Sequence, residues 1–224
     1  MELAVYCVDI GSVKKGNFAW AFSPHGYQGA TNSGADIRKL CSAVVDDILA
    51  GRKVALGFEC PLFVPVSDNP EDLTRARIGE GNRAWCAGAG AGSLATGLSE
   101  VVWILREIRT GIARSASVPG LLCWKKFSLS DKGLFLWEAM VSGGEKGGDH
   151  ESDATVAVTA FLRAVREDKM ESAISETVVH SLIGAALLRT GWREDLSVLK
   201  ELCLVVRPGT QGSGPDATCL GHCL

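Results

Sequence analysis

The chain has 224 residues, of which 46% are hydrophobic and 22% are charged, and its formal net charge is −3. This composition is ordinary for a soluble globular protein, and the slight negative charge excludes a general attraction to nucleic acid, so any such binding needs a local basic face. No apolar run reaches the roughly 18 to 20 residues of a membrane span, so we expect no membrane segment.

The chain begins with a strand pattern. Residues 3–10 form a continuous apolar run that carries Asp9 at its end, which is typical of a central strand buried on both faces. Residues 17–23 and, more weakly, 26–31 follow as further strands, which predicts an antiparallel meander. The N-terminus lacks the layout of a signal peptide, and several cysteines sit inside apolar runs, so we expect a cytoplasmic protein with reduced thiols.

Helices and strands then alternate. Apolar spacing predicts helices over 35–50, 94–110, 153–166 and 177–190, and strands over 53–59, 133–138 and 201–206. Residues 66–93 are rich in Pro, Gly, Asp and Arg and indicate an irregular excursion. The order predicts an α/β fold with a mixed central sheet flanked by helices, in a single domain over 1–207. The Gly/Ser/Pro-rich residues 208–224 predict a disordered tail.

Three acidic residues close predicted strands. Asp9, Glu59 and Glu138 each follow a short apolar run, and ligands of open α/β sheets bind at the carboxyl ends of strands. Converging carboxylates repel one another unless a hard divalent cation lies between them, which predicts Mg²⁺ or Mn²⁺. Asp149 and Asp153 open the next helix and can face the same place. The alternative is that these acids are turn residues and that Asp153 or Ser152 caps the helix.

The order of these acids resembles a known superfamily. An Asp on the first strand, an acid on the fourth and an acid opening a late buried helix are similar to the RNase H-like superfamily. The stretch HESDATVAVTAFL resembles the last-helix motif of RuvC-type Holliday-junction resolvases, and VALGFE resembles their fourth strand. GFECPLFVP, FLWEAMVSG and DHESDATVAVTAFL together resemble a family of predicted RNase H-like nucleases of unknown function.

The resemblance implies a nuclease that hydrolyses phosphodiester bonds with two metal ions. It assigns Asp9, Glu59, Glu138 and Asp153 to catalysis. Together with the spacing of the acids that open the helix, it leads us to expect the metal at Asp9, Glu59, Asp149 and Asp153. His150 is then a residue that positions water or contacts phosphate, or simply a loop histidine. The substrate is a nucleic acid, and DNA and RNA both remain open; a homodimer is one option for the oligomeric state.

Two other functions remain open. Asp9-Ile10-Gly11-Ser12 also resembles the first phosphate loop of the actin, Hsp70 and sugar-kinase ATPases, although no second phosphate loop is evident. A non-catalytic RNase H-like scaffold that binds a partner is the other alternative. The glycine-rich residues 88–92 precede a helix, so they can cradle a phosphate, but a flexible loop is the preferred interpretation.

A cluster of cationic and aromatic residues marks the irregular excursion. Arg75, Arg77 and Arg83 can hold a nucleic-acid backbone, and Trp85 can stack on a base. The equally weighted alternative is a solvated loop with a buried tryptophan.

Overall fold

The computed structural model describes residues 2–24, 32–81, 84–112, 118–141 and 147–209. Its strands are β1 (Leu3–Asp9), β2 (Ala19–Ser23), β3 (Asn32–Gly34), β4 (Lys53–Glu59), β5 (Phe63–Pro65), β6 (Gly120–Leu121), β7 (Leu134–Ala139), β8 (Val179–Ser181) and β9 (Leu204–Val206). Its helices are α1 (Ile37–Leu49), α2 (Gly88–Gly111), α3 (Trp124–Leu129), α4 (His150–Arg166) and α5 (Leu182–Arg189).

Seven of the described strands form one sheet. The order is β3-β2-β1-β4-β7, and β6 and β9 share the remaining edge of β7. The pairs of β1 with β2 and of β2 with β3 are antiparallel, while β1, β4 and β7 run parallel. Strands β5 and β8 form a separate antiparallel ribbon. The predicted α/β class with a mixed central sheet flanked by helices is confirmed.

Helices cover both faces of the sheet, because the side chains of the buried strands alternate between two apolar clusters. Tyr6 and Phe58 point to the face that packs against α1, α2 and α5. Cys7 and Trp137 point to the opposite face, which packs against α3 and α4. Among the described helices, none is both long enough and apolar enough to cross a membrane.

Some predicted elements differ from the structure. Helix α2 begins at Gly88, six residues before the predicted helix over 94–110, so the glycine-rich stretch is helical and is not a loop. A Cβ at Gly90 would lie 2.7 Å from the carbonyl oxygen of Ala84, so small residues let this helix end approach the preceding chain. The predicted helix over 177–190 divides into β8 and α5.

Other predicted elements lie outside the described residues. The weak strand over 26–31 cannot be compared, and β3 begins directly after it. Of the predicted tail, only Pro208 and Gly209 are described. The short elements β5, β6 and α3 were not predicted, because segments of two to six residues are too short to show a periodic pattern.

Gly57 sets how α4 docks on the sheet. A Cβ at this position of β4 would lie 2.3 Å from Cε2 of Trp137, so the indole of β7 lies directly over the Gly57 backbone. The Trp137 ring in turn packs against Phe161 of α4, with ring centroids 4.6 Å apart. The glycine therefore makes room for the aromatic contact that fixes α4 above the carboxyl ends of β1 and β4.

We expect Gly57→Ala to lower the free energy of unfolding by about 1 to 3 kcal/mol, because the added methyl group overpacks a closed core. Urea denaturation measures the change. Gly92→Ala is the matched control: its Cβ has nothing within 4 Å and the residue lies in α2, so this variant should be as stable as the wild type or more stable by about 0.4 to 1 kcal/mol. Wild-type stability in Gly57→Ala would contradict the close packing of Trp137.

Candidate metal centre

Three of the predicted acids meet at the carboxyl-terminal ends of the central strands. Asp9 and Glu59 are the last residues of the parallel neighbours β1 and β4 and are paired in register, so their side chains leave the sheet on the same face. Helix α4 packs on that face and brings Asp153 in its first turn. One carboxylate oxygen from each residue lies within 4.8 Å of the others. These three residues are called the acidic triad below.

The surroundings of the acidic triad partly offset its negative charge. Asp153 Oδ1 accepts a hydrogen bond from the backbone N–H of Gly147 at 2.6 Å, and the residue lies at the positive end of the α4 dipole. His150 Nδ1 lies 2.6 Å from Asp9 Oδ2. Because an ionised carboxylate only accepts hydrogen bonds, Nδ1 carries the proton in this contact, and the ring stays half exposed.

Asp149, a predicted metal ligand, is not part of the acidic triad. It is the N-cap of α4, where its side chain accepts a hydrogen bond from the backbone N–H of Ser152, and it is exposed. Hydrogen bonds from the Ser152 backbone and side chain lower the pKa of Asp149 below its usual value. Helix capping, the alternative to metal binding given for these acids, therefore applies to Asp149 rather than to Asp153.

Glu138, a predicted catalytic residue, lies on the other face of the sheet. It is paired in register with Phe58 and not with Glu59, so its side chain points away from the acidic triad. It accepts two hydrogen bonds from Arg77, at 2.9 and 2.6 Å, and one from the backbone N–H of Leu62 at 2.9 Å. The structure thus makes Glu138 part of a buried ion pair.

Arg77 is not available to a nucleic-acid backbone. Its side chain is 1% exposed, and its five N–H donors are directed to Glu80, Glu138 and the carbonyl oxygen of Phe63. The structure therefore places the predicted phosphate contact Arg77 in a buried ion pair with Glu80 and Glu138.

The other residues of the predicted nucleic-acid surface have mixed positions. Arg75 is partly exposed but makes a bidentate ion pair with Glu176, at 2.8 and 2.6 Å. Trp85 is partly buried and donates its Nε1–H to the carbonyl oxygen of Arg75 at 2.9 Å. Arg83 lies outside the described residues.

Glu100 of α2 is a further acid beside the acidic triad, and the sequence interpretation missed it. Burial raises the pKa of its carboxyl group to about 7; the amide of Gly11 lowers the pKa, and the charge of Asp9 raises it. A Cβ at Gly97 would lie 2.7 Å from Cys60 Sγ, so α2 approaches the end of β4 closely one turn before Glu100. A glycine inside an apolar helix pattern is the signal that could have indicated this approach.

The raised pKa of Glu100 makes stability depend on pH. Between about pH 4.5 and 7 the folded chain retains a proton that the unfolded chain has released, so stability should fall as the pH rises through this window. We expect the wild type to lose on the order of 1 to 3 kcal/mol more than Glu100→Gln between pH 4.5 and 8, measured by urea denaturation in EDTA. Comparing how the free energy of unfolding changes with pH in each protein removes any pH-independent effect of replacing the Glu100 carboxyl group by the glutamine amide.

The control for this pH dependence is Glu107→Gln. Glu107 lies on the same helix, its side chain is 36% exposed and it pairs with Arg106. The free energy of unfolding of Glu107→Gln should change with pH in the same way as that of the wild type. Parallel curves for the wild type and Glu100→Gln would show that Glu100 is not in the environment described above.

Comparisons with models of protein families, with curated proteins and with solved structures give no match to this chain. The RNase H-like resemblance of the sequence therefore stays a prediction.

Proposed function

We propose that the chain is a metal-dependent nuclease of RNase H-like fold that hydrolyses phosphodiester bonds of nucleic acid. The observation that carries this proposal is the acidic triad, whose three carboxylates come from β1, β4 and α4 and converge within 4.8 Å. The order of these elements along the chain is also the order on which the sequence resemblance rests. Hard oxygen ligands favour Mg²⁺ or Mn²⁺, and either ion removes the repulsion between the three charges.

The residues of the chain fit the role of holding such an ion. Asp9 and Asp153 are buried, at 8% and 5% exposure, so the site has a low dielectric in which an ion is held strongly. The hydrogen bonds from His150 and Gly147 orient these two carboxylates. When bound, the cation lowers the pKa of a water molecule and stabilises the charge that develops on the phosphate.

The turn after β1 supplies exposed positive charge near this end of the sheet. Lys14 and Lys15 lie in a short 3₁₀ turn that starts four residues after Asp9, and both are exposed. Within the described part of the chain, neither forms an ion pair. They are better placed to contact a phosphate backbone than Arg75 and Arg77, whose guanidinium groups already bind carboxylates.

The test is a cleavage assay on single-stranded, double-stranded and branched DNA and RNA with the metal-free chain. We expect cleavage of at least one substrate with Mg²⁺ or Mn²⁺, and suppression by Ca²⁺, because Ca²⁺ takes more ligands at longer distances and holds the reacting oxygens in the wrong geometry. Calorimetry with Mg-ATP is expected to show no binding in the micromolar range.

Two outcomes would replace this proposal. Tight Mg-ATP binding without cleavage of any substrate would favour the ATPase-like function that the Asp9-Ile10-Gly11-Ser12 motif suggests. Nucleic-acid binding without either activity would favour a non-catalytic scaffold.

A further inference from the structure

A basic surface lies where α3 meets the C-terminal half of α4. The segments 124–132 and 160–169 contain six cationic and three acidic residues, a net charge of +3 in a chain whose net charge is −3. Lys169 pairs with Glu167 at 3.3 Å. The other five cations are exposed and make no ion pair with any residue that the structure describes: Lys125, Lys126, Lys132, Arg163 and Arg166. These five residues are called the basic face below.

Aromatic packing joins the two segments of the basic face. The Trp124 ring of α3 lies against the Phe161 ring of α4, with centroids 5.7 Å apart and planes nearly perpendicular. Lys125 follows Trp124 directly, and Arg163 lies two residues after Phe161. The cations of α3 and α4 therefore belong to one surface rather than to two separate ones.

The basic face lies on the same side of the sheet as the acidic triad but towards the opposite end of the strands. Lys53, the first residue of β4, donates a hydrogen bond from Nζ to the carbonyl oxygen of Ser128 at 3.0 Å, which holds α3 at the start of this strand. Glu59 ends the same strand about 20 Å away, at a rise of about 3.3 Å per residue. Along α4, Arg163 lies about 15 Å from Asp153, at a rise of about 1.5 Å per residue.

The chemistry of the basic face fits the phosphate backbone of a duplex. Clustered cations without acidic partners repel one another, and a polyanion removes this repulsion. The aromatic ring next to the lysines is not available to stack on bases, because Trp124 packs against Phe127, Phe135 and Phe161. Proteins that bind single strands rely on such stacking, whereas Lys and Arg contacts to phosphate hold a duplex without reading its sequence.

We propose that the basic face holds the backbone of a nucleic-acid duplex at a distance from the site of cleavage. This inference rests on the proposed nuclease and adds a substrate class, a duplex that extends beyond the acidic triad. A separation of about 15 to 20 Å corresponds to about four to six base pairs, at about 3.4 Å per pair. Duplexes long enough to reach the basic face should therefore bind more tightly than shorter ones.

The experiment measures binding of labelled DNA and RNA duplexes of about 20 base pairs to the full chain in EDTA, by fluorescence anisotropy over a salt series. EDTA prevents metal-dependent cleavage, so binding is measured independently of the metal centre. We expect Lys125→Ala/Lys126→Ala to weaken binding about tenfold and to reduce the salt dependence of log K by about two units, since each lost phosphate contact removes about 0.9. Arg163→Ala should reduce the salt dependence by about one unit.

Lys39→Ala is the matched control. Lys39 is an exposed lysine of α1, which packs on the opposite face of the sheet, and it makes no ion pair with a described residue. This variant should bind duplexes like the wild type. An equal loss of affinity in Lys39→Ala would show a general effect of charge and would overturn the assignment to the basic face.

The outcomes separate this inference from the proposed function. Wild-type affinity and salt dependence in both Lys125→Ala/Lys126→Ala and Arg163→Ala overturn the basic face, as does a wild type that binds no duplex. Cleavage of any nucleic acid by the wild type with Mg²⁺ would still leave the nuclease intact in either case. If circular dichroism shows that the double alanine variant is unfolded, Lys125→Gln/Lys126→Gln replaces it with the same expected change.

A lipid surface is the competing partner, because Leu129 is 79% exposed beside these lysines. Vesicles that contain phosphatidylserine are the probe. Vesicle binding that is lost in Lys125→Ala/Lys126→Ala, with duplex binding unchanged, would assign the basic face to a membrane and overturn the inference. We expect the reverse, with duplex binding reduced and no binding of vesicles by the wild type.

Discussion

Replacing Asp153 by Asn is expected to lower the rate of nucleic-acid cleavage by about a hundredfold or more, while the chain stays folded and still binds nucleic acid. A hundredfold loss corresponds to about 2.7 kcal/mol of transition-state stabilisation. The reason is that Asp153 supplies one of the three converging carboxylates, and the isosteric amide removes its negative charge. Single-turnover cleavage and a separate binding assay measure the two effects.

Stability should change little in the Asp153→Asn variant. The amide oxygen can still accept the N–H of Gly147, and loss of a charge from the acidic triad reduces repulsion in the metal-free chain. Loss of the favourable interaction with the α4 dipole acts in the other direction and is worth about 0.3 to 1 kcal/mol. Urea denaturation in EDTA should therefore give a free energy of unfolding within about 1 kcal/mol of the wild type.

Asp149→Asn is the matched control for this experiment. Asp149 lies four residues before Asp153 on the same helix and was predicted from the sequence to bind metal, but the structure uses it as the N-cap. Asn caps helices about as well as Asp, so both fold and cleavage should be retained. Equal cleavage by Asp153→Asn and the wild type would remove Asp153 from the centre, and a loss in Asp149→Asn instead would favour the sequence prediction.

The acidic triad could be predicted in part because its signals are local. Asp9 and Glu59 each end a continuous apolar run, and Asp153 opens a helix without a charged residue for the next nine positions. The position of Glu138 outside the acidic triad depends on register, which the sequence does not reveal. Strand β7 ends at Ala139, one residue after the predicted strand over 133–138, and Glu138 is aligned with Phe58. Because side chains alternate along a strand, a difference of one residue places the carboxylate on the opposite face.

The ion pairs in the excursion over 66–93 could not be predicted, for a different reason. Its composition indicates a solvated loop, but two of its arginines pair with acids that are far away in the sequence. Arg77 binds Glu138, 61 residues later, and Arg75 binds Glu176, 101 residues later. No local pattern contains such a partnership, so the ion pairs of these two arginines could be recognised only from the folded structure.

For Glu100, too, the local sequence does not reveal the position that the residue takes in the folded structure. In the sequence it is an ordinary polar position within the predicted helix over 94–110. What distinguishes it is the close approach of α2 to Cys60 and the turn after β1, which depends on how the helix packs on the sheet. Amphipathic patterning predicts that a helix has a buried face but not which strand ends it crosses.

Replacing Arg77 by Met is expected to lower the free energy of unfolding by about 3 to 5 kcal/mol. The substitution leaves Glu80 and Glu138 as buried carboxylates without a cation, at 3% and 2% side-chain exposure. It also leaves the Phe63 carbonyl oxygen without the guanidinium donor that links the excursion to β5. Arg106→Met is the control: its partner Glu107 and Arg106 itself are solvent-exposed, and such pairs contribute about 0 to 1 kcal/mol.

The companion variant Glu138→Gln decides between the predicted and the observed role of this residue. As a structural partner of Arg77, Glu138 contributes to stability, and the amide weakens the ion pair while keeping an acceptor for Leu62 N–H. We therefore expect a lower free energy of unfolding but unchanged Mn²⁺ affinity and unchanged cleavage per folded molecule, measured well below the melting temperature. A catalytic Glu138 would give the opposite pattern, with cleavage at least about a hundredfold slower, which corresponds to at least about 2.7 kcal/mol of transition-state stabilisation. That result would mean that β7 presents this carboxylate to the acidic triad.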